Sequence, residues 1–511
     1  MNGASTTAVS AATRSAAPAV AAIAGVTGLI STLRAGRYDY FGDELYFLAA
    51  GRHPAPSYVD QGPLVPLLAR GIDLVPTESL LALRFPSILC AVAAVVCSAA
   101  IARELGGDRA AQIWAAAAYA SCPFLITQSA TLSTFAFDSV LSAVLIWALI
   151  RWTRTRRDRW LLVAAAVLAV DIQVKPLVGV LAAGLLAGVI ATGPHELLRR
   201  PALWFGALVV VVTALPGLWW QYRHGWPQLA MGAVIRAEQG AATGGASGLP
   251  LQIGLSVGLL GAILAAFGLW ILVSDAVFRP YRFVLAGGAA LLMFVVVAGG
   301  RPYYLAGMFP VLFAAGAVAI TWQPALTVRR VCAAALTVSV VIAILAVTTL
   351  PRPESARHGA TDTGAEMATR LRLYGTEGWD ELTSTVAAAV RELPAADRGS
   401  LAIVTHNYWQ AAALEILGPP DLPPVYSPNR GYAEFGMPAS DVTTIVSVTT
   451  GATEPALHRA MSTCTPIAHR DDDTGFPGID RHLRVWRCDH PRQPWPEIWS
   501  GSTTPTFDPG L

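Results

Sequence analysis

Along most of the chain the polar positions are islands between long apolar runs. A helix rises 1.5 Å per residue, so crossing a bilayer's hydrocarbon takes about 20 apolar residues. Runs of this kind lie near 16–33, 79–101, 110–127, 138–151, 160–175, 177–194, 203–221, 251–274, 283–299, 303–320 and 331–350. They predict eleven membrane-spanning helices. Several are short, and the two that flank Lys175-Pro176 can form one broken unit. A long polar loop, about 34–78, follows the first run, and another lies near 222–250. After 350 the pattern changes. Trp379 to Leu393 has helical periodicity, and "SLAIVTHNY" (400–408) reads as a buried strand followed by a helix from Trp409 to Leu417. "TTIVSVT" (443–449) and "HLRVWRC" (482–488) read as strands. The expected fold is an α-helical polytopic membrane domain over 1–350, with a C-terminal α/β domain over 351–511. That tail is long enough to bury its own core.

Composition sharpens this picture. The chain has 511 residues, of which 54% are hydrophobic and only 14% charged, too apolar for a soluble protein of this length. The net charge of +2 hides two opposite parts. Residues 1–350 hold 14 acidic and 23 basic side chains, whereas 351–511 hold 20 and 13. No basic run with interleaved aromatics points to nucleic acid. The first apolar run reads as a transmembrane helix rather than a cleaved signal. Arginines crowd alternate short loops: Arg103 with Arg109, Arg151 to Arg159, Arg199 with Arg200, Arg279 with Arg282, and Arg329 with Arg330. Positive loops stay cytoplasmic. The N-terminus is then inside, and the loops 34–78 and 222–250 and the tail are extracytoplasmic. In that compartment Cys464 and Cys488 can be bridged or can remain two thiols. Cys90, Cys97, Cys122 and Cys332 lie in spans and read as packing residues.

This orientation puts several acids on the outer face. "YDYFGDELYFLAAGRH" (38–53) holds Asp43 and Glu44, "SYVDQGPLVPLLAR" (57–70) holds Asp60, and "TLSTFAFDSV" (131–140) holds Asp138. Taken alone, Asp43 and Glu44 are acids favouring a helix dipole. The order of blocks says more. "GDELYFLAAGRH", "YVDQGPLVPLLAR", "LALRFPS" and "ARELGG" resemble, in that order, the first outer loop and second span of bacterial family 39 glycosyltransferases. These are relatives of protein O-mannosyltransferases and lipid A aminoarabinose transferases in the GT-C superfamily. "LPGLWWQYRHGWPQL" (215–229) and "GRPYYLAGMFPVLFAAGA" (300–317) resemble two further blocks. "THNYWQAAALEILGPPDLPPVYS" (405–427) is similar to the tail of an actinobacterial branch.

The resemblance implies an inverting membrane glycosyltransferase. Its donor would be a sugar, of mannose or arabinose type, on a polyprenyl phosphate. Its acceptor would be a protein, glycan, lipid or natural product at the outer face of the bilayer. Asp43 matches the family's general base, Glu44 is its neighbour, Asp60 holds a second acidic motif position, and Asp138 matches a second-loop acid. Gln61 and Gly62 depart from the motif: many relatives have Lys or Gln, then Pro, and a Lys there can touch the donor phosphate. The chemistry suits these residue types. Carboxylates stabilise a sugar ring gaining cationic character, a positioned base activates the acceptor, and the departing phosphate needs fixed donors. Arg301 in "GRPYYLAG" is the first candidate for that phosphate and Lys175, the only lysine, the second. Arg52 and His53 are weaker ones. Their plainer roles are an interface anchor for Arg301 and an i,i+4 pair with Asp171 for Lys175. No ligand spacing predicts a metal, and no cofactor is expected. A transporter or flippase of lipid-linked saccharides is the rival reading. It predicts internal repeats and midplane charges, neither of which is evident.

Overall fold

The computed structural model describes residues 16–75, 79–322, 325–353, 356, 363–394, 399–451 and 456–507. The chain divides into two compact units. The first comprises residues up to Ala35, then Leu81–Trp220 and Thr243–Thr349; the second comprises Gly36–Leu80, Gln221–Ala242 and Leu350 onward.

In chain order the first helices are α1 (Ala17–Arg34), α2 (Gly42–Arg52), α3 (Leu64–Asp73), α4 (Leu80–Glu104), α5 (Arg109–Ala120) and α6 (Pro123–Ala130). Then come α7 (Thr134–Thr155), α8 (Arg159–Asp171), α9 (Val178–Thr192), α10 (Pro201–Arg223), α11 (Pro227–Thr243) and α12 (Gly245–Ser274). α13 (Phe283–Ala298), α14 (Phe309–Trp322) and α15 (Leu326–Thr349) complete the apolar series, α14 being entered through a 3-10 turn over Pro302–Met308. Each of the eleven apolar runs is helical. Their lengths differ from the expectation. Among the described residues seven helices are long and apolar enough to cross a membrane singly, and α5 with α6 can make an eighth span bent by 59°. α9 and α13 are shorter apolar helices, and α8 has 13 residues. The α8–α9 break falls where Pro176 cannot continue a hydrogen-bonded ladder.

Small residues let the spans approach closely. A Cβ on Gly316 would collide with the Leu264 carbonyl, and one on Gly268 with that of Leu312, so α12 and α14 meet backbone to backbone. At the helix ends polar partners take over. Asp108 caps α5 by accepting from the Ala111 N–H at 2.9 Å. Glu104, 2% exposed, pairs with both Arg151 and Arg154 and ties the end of α4 to that of α7.

The second unit carries α16 (Gly364–Tyr374), α17 (Trp379–Glu392), β1 (Leu401–Thr405), α18 (Tyr408–Leu417) and β2 (Val425–Tyr426). β3 (Thr444–Thr450), α19 (Ala456–Arg459), β4 (Met461–Arg470), β5 (Leu483–Pro491) and α20 (Trp495–Ser502) follow. The sheet order is β2-β1-β3-β5-β4, with β1 parallel to β2 and β3, and β5 antiparallel to β3 and β4. β1 and β3 are buried along their whole length. Cys464 and Cys488 lie opposite each other on β4 and β5 and form a disulfide. α2 and α3 from the first loop, and α11 from the loop at 222–250, belong to this unit rather than being irregular.

Candidate active site

The second unit gathers Asp43, Glu44 and Asp60, with their roles divided by helix geometry. Successive helical residues point about 100° apart, so adjacent acids face different surroundings. Glu44 turns inward. It is fully buried and accepts the Phe41 N–H at 2.9 Å, capping the start of α2. Asp43 turns toward α18. Its Oδ1 accepts from the Tyr408 hydroxyl at 2.8 Å and from the Trp409 indole N–H at 3.0 Å. Oδ2 has no hydrogen-bond partner among the described residues. Gly42 makes this approach possible, because a Cβ there would fall inside the Trp409 ring. Asn407 starts α18 by accepting from the Gln410 N–H at 3.0 Å, which sets Tyr408 and Trp409 on its first turn.

Asp60 lies next to this pair. It accepts from the Tyr46 hydroxyl at 3.2 Å. Burial pushes its carboxyl up to about 6; Arg430 lowers it and Asp43 raises it, while the Tyr46 bond again lowers it. Arg430 is the cation of this cluster. Its side chain is 8% exposed, pairs with Glu238, donates to the Tyr408 oxygen at 3.2 Å and lies 5.1 Å from the Tyr408 ring centre. The 57–61 loop is held by two glutamines. Gln221 donates to Ser57 Oγ and Tyr58 O at 3.0 and 2.9 Å, and Gln228 donates to Tyr58 O and Gln61 O, both at 3.0 Å. Gln61, at the departure from the motif, is 2% exposed, and neither its amide nitrogen nor its oxygen has a partner among the described residues.

The first unit holds Asp138, Lys175 and Arg301. Asp138 is 5% exposed on α7, and both it and the fully buried Asp171 are within Coulombic reach of Lys175. The plainer alternative for Lys175, an i,i+4 ion pair with Asp171, is not formed. The Lys175 backbone N–H bonds to the Asp171 carbonyl at 2.8 Å, while Asp171 Oδ2 takes the Ser142 hydroxyl at 3.3 Å. The Lys175 ammonium lies 3.9 and 5.1 Å from the Tyr304 and Tyr303 ring centres and has no carboxylate within ion-pair distance among the described residues. Arg301 donates to the Tyr303 hydroxyl at 3.3 Å. Among the described residues the structure thus leaves an ammonium on two aromatic faces with its hydrogen-bonding capacity unspent. Arg52 pairs with Asp73, and His53 lies 3.6 Å from Glu415.

Sequence reading missed Tyr46, Tyr408, Trp409 and Arg430, and gave Asp171 only as a pairing partner for Lys175. Tyr408 and Trp409 stood inside the "THNYWQ" block and Asp171 beside the single lysine, so a signal existed. Arg430 and Glu238 had none. Among the described residues, His458, Cys464 and Cys488 are grouped closely enough to hold a metal, but the two sulfurs are bonded to each other.

No curated protein sequence matches the chain. Residues 60–220 match the family described as dolichyl-phosphate-mannose-protein mannosyltransferase. ArnT from Cupriavidus metallidurans in the apo state superposes with a TM-score of 0.61 at 15% identity, over 93% of this chain and 98% of that one. The same protein bound to undecaprenyl phosphate gives 0.59 at 15% identity over the same shares. The chain is a multi-pass membrane protein with the GT-C glycosyltransferase fold.

Proposed function

We propose that this protein transfers a sugar from a polyprenyl-phosphate donor to an acceptor hydroxyl or amine at the extracytoplasmic face, with inversion. The observation that carries this reading is Asp43. Two donors hold one of its oxygens and leave the other without a partner among the described residues. That is how a general base is positioned: fixed in place, with a lone pair to spare. Asp43 Oδ2 takes the acceptor's proton as the acceptor atom bonds to the anomeric carbon. The bond from that carbon to the phosphate oxygen breaks, and its electron pair leaves with the polyprenyl phosphate. Lys175 and Arg301 stabilise the charge that develops on the phosphate. Asp60 and Asp138 position the reactants, and Glu44 holds the helix that carries Asp43. A phosphate leaving group needs no general acid, and the reaction is proposed to run without a metal ion. The undecaprenyl phosphate bound to the similarly folded ArnT supports the donor class. The sugar is proposed to be mannose or an arabinose-type pentose.

The test is release of free polyprenyl phosphate by the reconstituted protein given mannosyl or arabinosyl polyprenyl phosphate and a panel of acceptors. Acceptor-dependent release supports the reading. Movement of the intact lipid-linked sugar between leaflets without release points instead to a flippase. Orientation has its own test. A cysteine at Ser440, exposed in the tail, is expected to react with an impermeant reagent in intact cells and one at Thr155 is not; swapped labelling reverses the topology.

A further inference from the structure

The helices α1, α5–α6 and α15 leave a slot of about 680 Å³ between them. Most of its wall is hydrocarbon. Val26 and Ile30 on α1 and Val340 and Ile344 on α15 line it and are 57%, 39%, 39% and 54% exposed. The Thr27, Ser121 and Thr348 hydroxyls are turned back onto carbonyls of their own helices at 2.9, 2.8 and 2.8 Å, so the wall they present is apolar. One end differs. Ser31 and Arg34 on α1 and Ser129 on α6 line it near the C-terminal ends of their helices. Arg34 is 9% exposed there.

The dimensions select an occupant. The lining runs from Ala22 to Arg34 on α1 and from Leu336 to Thr348 on α15. At 1.5 Å per residue each wall is about 18 Å long, close to the roughly 15 Å of hydrocarbon in one leaflet. A polyprenyl carrier chain is far longer than the slot. An acyl chain of one leaflet matches it. Arg34 then stands where a lipid headgroup meets the hydrocarbon, and a guanidinium fork matches phosphate oxygens.

We propose that this slot is a binding site for one anionic phospholipid, with an acyl chain along α1 and α15 and its phosphate at Arg34. Lipid binding there does not depend on the glycosyl-transfer chemistry. The test is native mass spectrometry of the full chain in detergent, after equilibration with phosphatidylglycerol or with phosphatidylcholine of the same chains. One retained lipid is expected, with phosphatidylglycerol preferred. Arg34→Gln is expected to reduce that preference about tenfold. Ala343→Trp, which fills the slot from α15, and Ala120→Trp, which fills it from α5, are each expected to abolish the adduct of either lipid. Val341→Trp on α15 does not line the slot and is expected to leave the adduct intact. Thermal melting of each variant checks its fold. Retention of the adduct in both slot-filling variants overturns the proposal, as does equal loss in Val341→Trp. Displacement of the phospholipid by undecaprenyl phosphate at equal stoichiometry also overturns it, because the slot would then hold the carrier.

Discussion

Replacing Asp43 by Asn separates its chemistry from its architecture. Asn keeps a carbonyl oxygen where Oδ1 accepts from Tyr408 and Trp409, at 2.8 and 3.0 Å. It places an amide nitrogen, with no basic lone pair, where Oδ2 stands. Hydrogen bonds to a charged group contribute about 1.5–3 kcal/mol each and neutral ones about 0.5–1.5, so the exchange costs roughly 2 kcal/mol of stability over two bonds. The transfer rate falls much further. Loss of a general base costs about 10²- to 10⁴-fold, equivalent to roughly 3–5 kcal/mol in the barrier. Donor affinity is expected to survive, because the phosphate contacts are assigned to Lys175 and Arg301. Asp43→Ala adds a second penalty by removing the acceptor from the Tyr408 hydroxyl and the Trp409 N–H, at about 1–3 kcal/mol each. Glu44→Gln keeps an acceptor for the Phe41 N–H and costs less than Asp43→Asn. The assay is the initial rate of polyprenyl phosphate release in liposomes, with donor titration and thermal melting run in parallel. Near wild-type turnover by Asp43→Asn refutes the assignment. If Glu44→Gln is also the inactive variant, the two roles are reversed.

Gly42→Ala places a methyl group inside the Trp409 indole, which is already flanked by the Phe41 and Phe507 rings at 5.6 and 4.7 Å, so tryptophan fluorescence is expected to shift and transfer to fall with Asp43 intact. Asp60, pushed up to about 6, holds a proton in the folded state that the unfolded chain loses near 3.8; its contribution to stability is therefore greatest at low pH and is lost as pH rises to about 6. Melting temperatures of the wild type between pH 4.5 and 7 are expected to fall more steeply than those of Asp60→Asn, and parallel curves contradict the assignment. Cys464 and Cys488, 24 residues apart, are expected to appear as one linked fragment in non-reducing peptide maps; opening that loop costs about 3 kcal/mol on chain-entropy grounds, read as a lower melting temperature for the tail under reductant.

The helices of the membrane part were legible because hydrocarbon demands length and apolarity, and both are visible in the sequence. The lengths of α8 and α9 were less so, because Asp171, Lys175 and Pro176 interrupt an otherwise continuous run. In the tail the buried strands β1 and β3 show as unbroken apolar stretches. β4 does not. Its residues are largely exposed, and Pro466 sits at a register shift against β5, so "MSTCTPIAHR" carries no clean alternation. Asp43 and Glu44 mark a helix start at α2, but the bounds of α2 and α3 are obscured inside what reads as one long polar loop. Asp43, Glu44 and Asp60 could be picked out as acids in one loop. Which of the adjacent pair faces a partner could not, since that depends on α18, 365 positions away from Asp43 at Tyr408.

The partners of Asp43 acquire a direction only when the whole cluster is followed. Arg430 has donors alone, so its Nη1 contact makes the Tyr408 oxygen an acceptor. The Tyr408 proton is then committed to Asp43, and Tyr408 cannot rotate to accept there instead. Burial, followed by the neighbouring Asp43, holds the Tyr408 phenol well above its ordinary value, so that proton stays on its oxygen. Trp409 can only donate. Both contacts on Oδ1 are therefore donors whose polarity is fixed from outside: one by covalent chemistry, the other by an arginine that Glu238 anchors in turn. Oδ2 is the oxygen left for an exchangeable proton. Asp60 accepts one hydroxyl, and burial with Asp43 outweighs Arg430 in raising its carboxyl. Two fixed donors on one Asp43 oxygen and a single hydroxyl on Asp60 suit the proposed division of roles, Asp43 as base and Asp60 holding position.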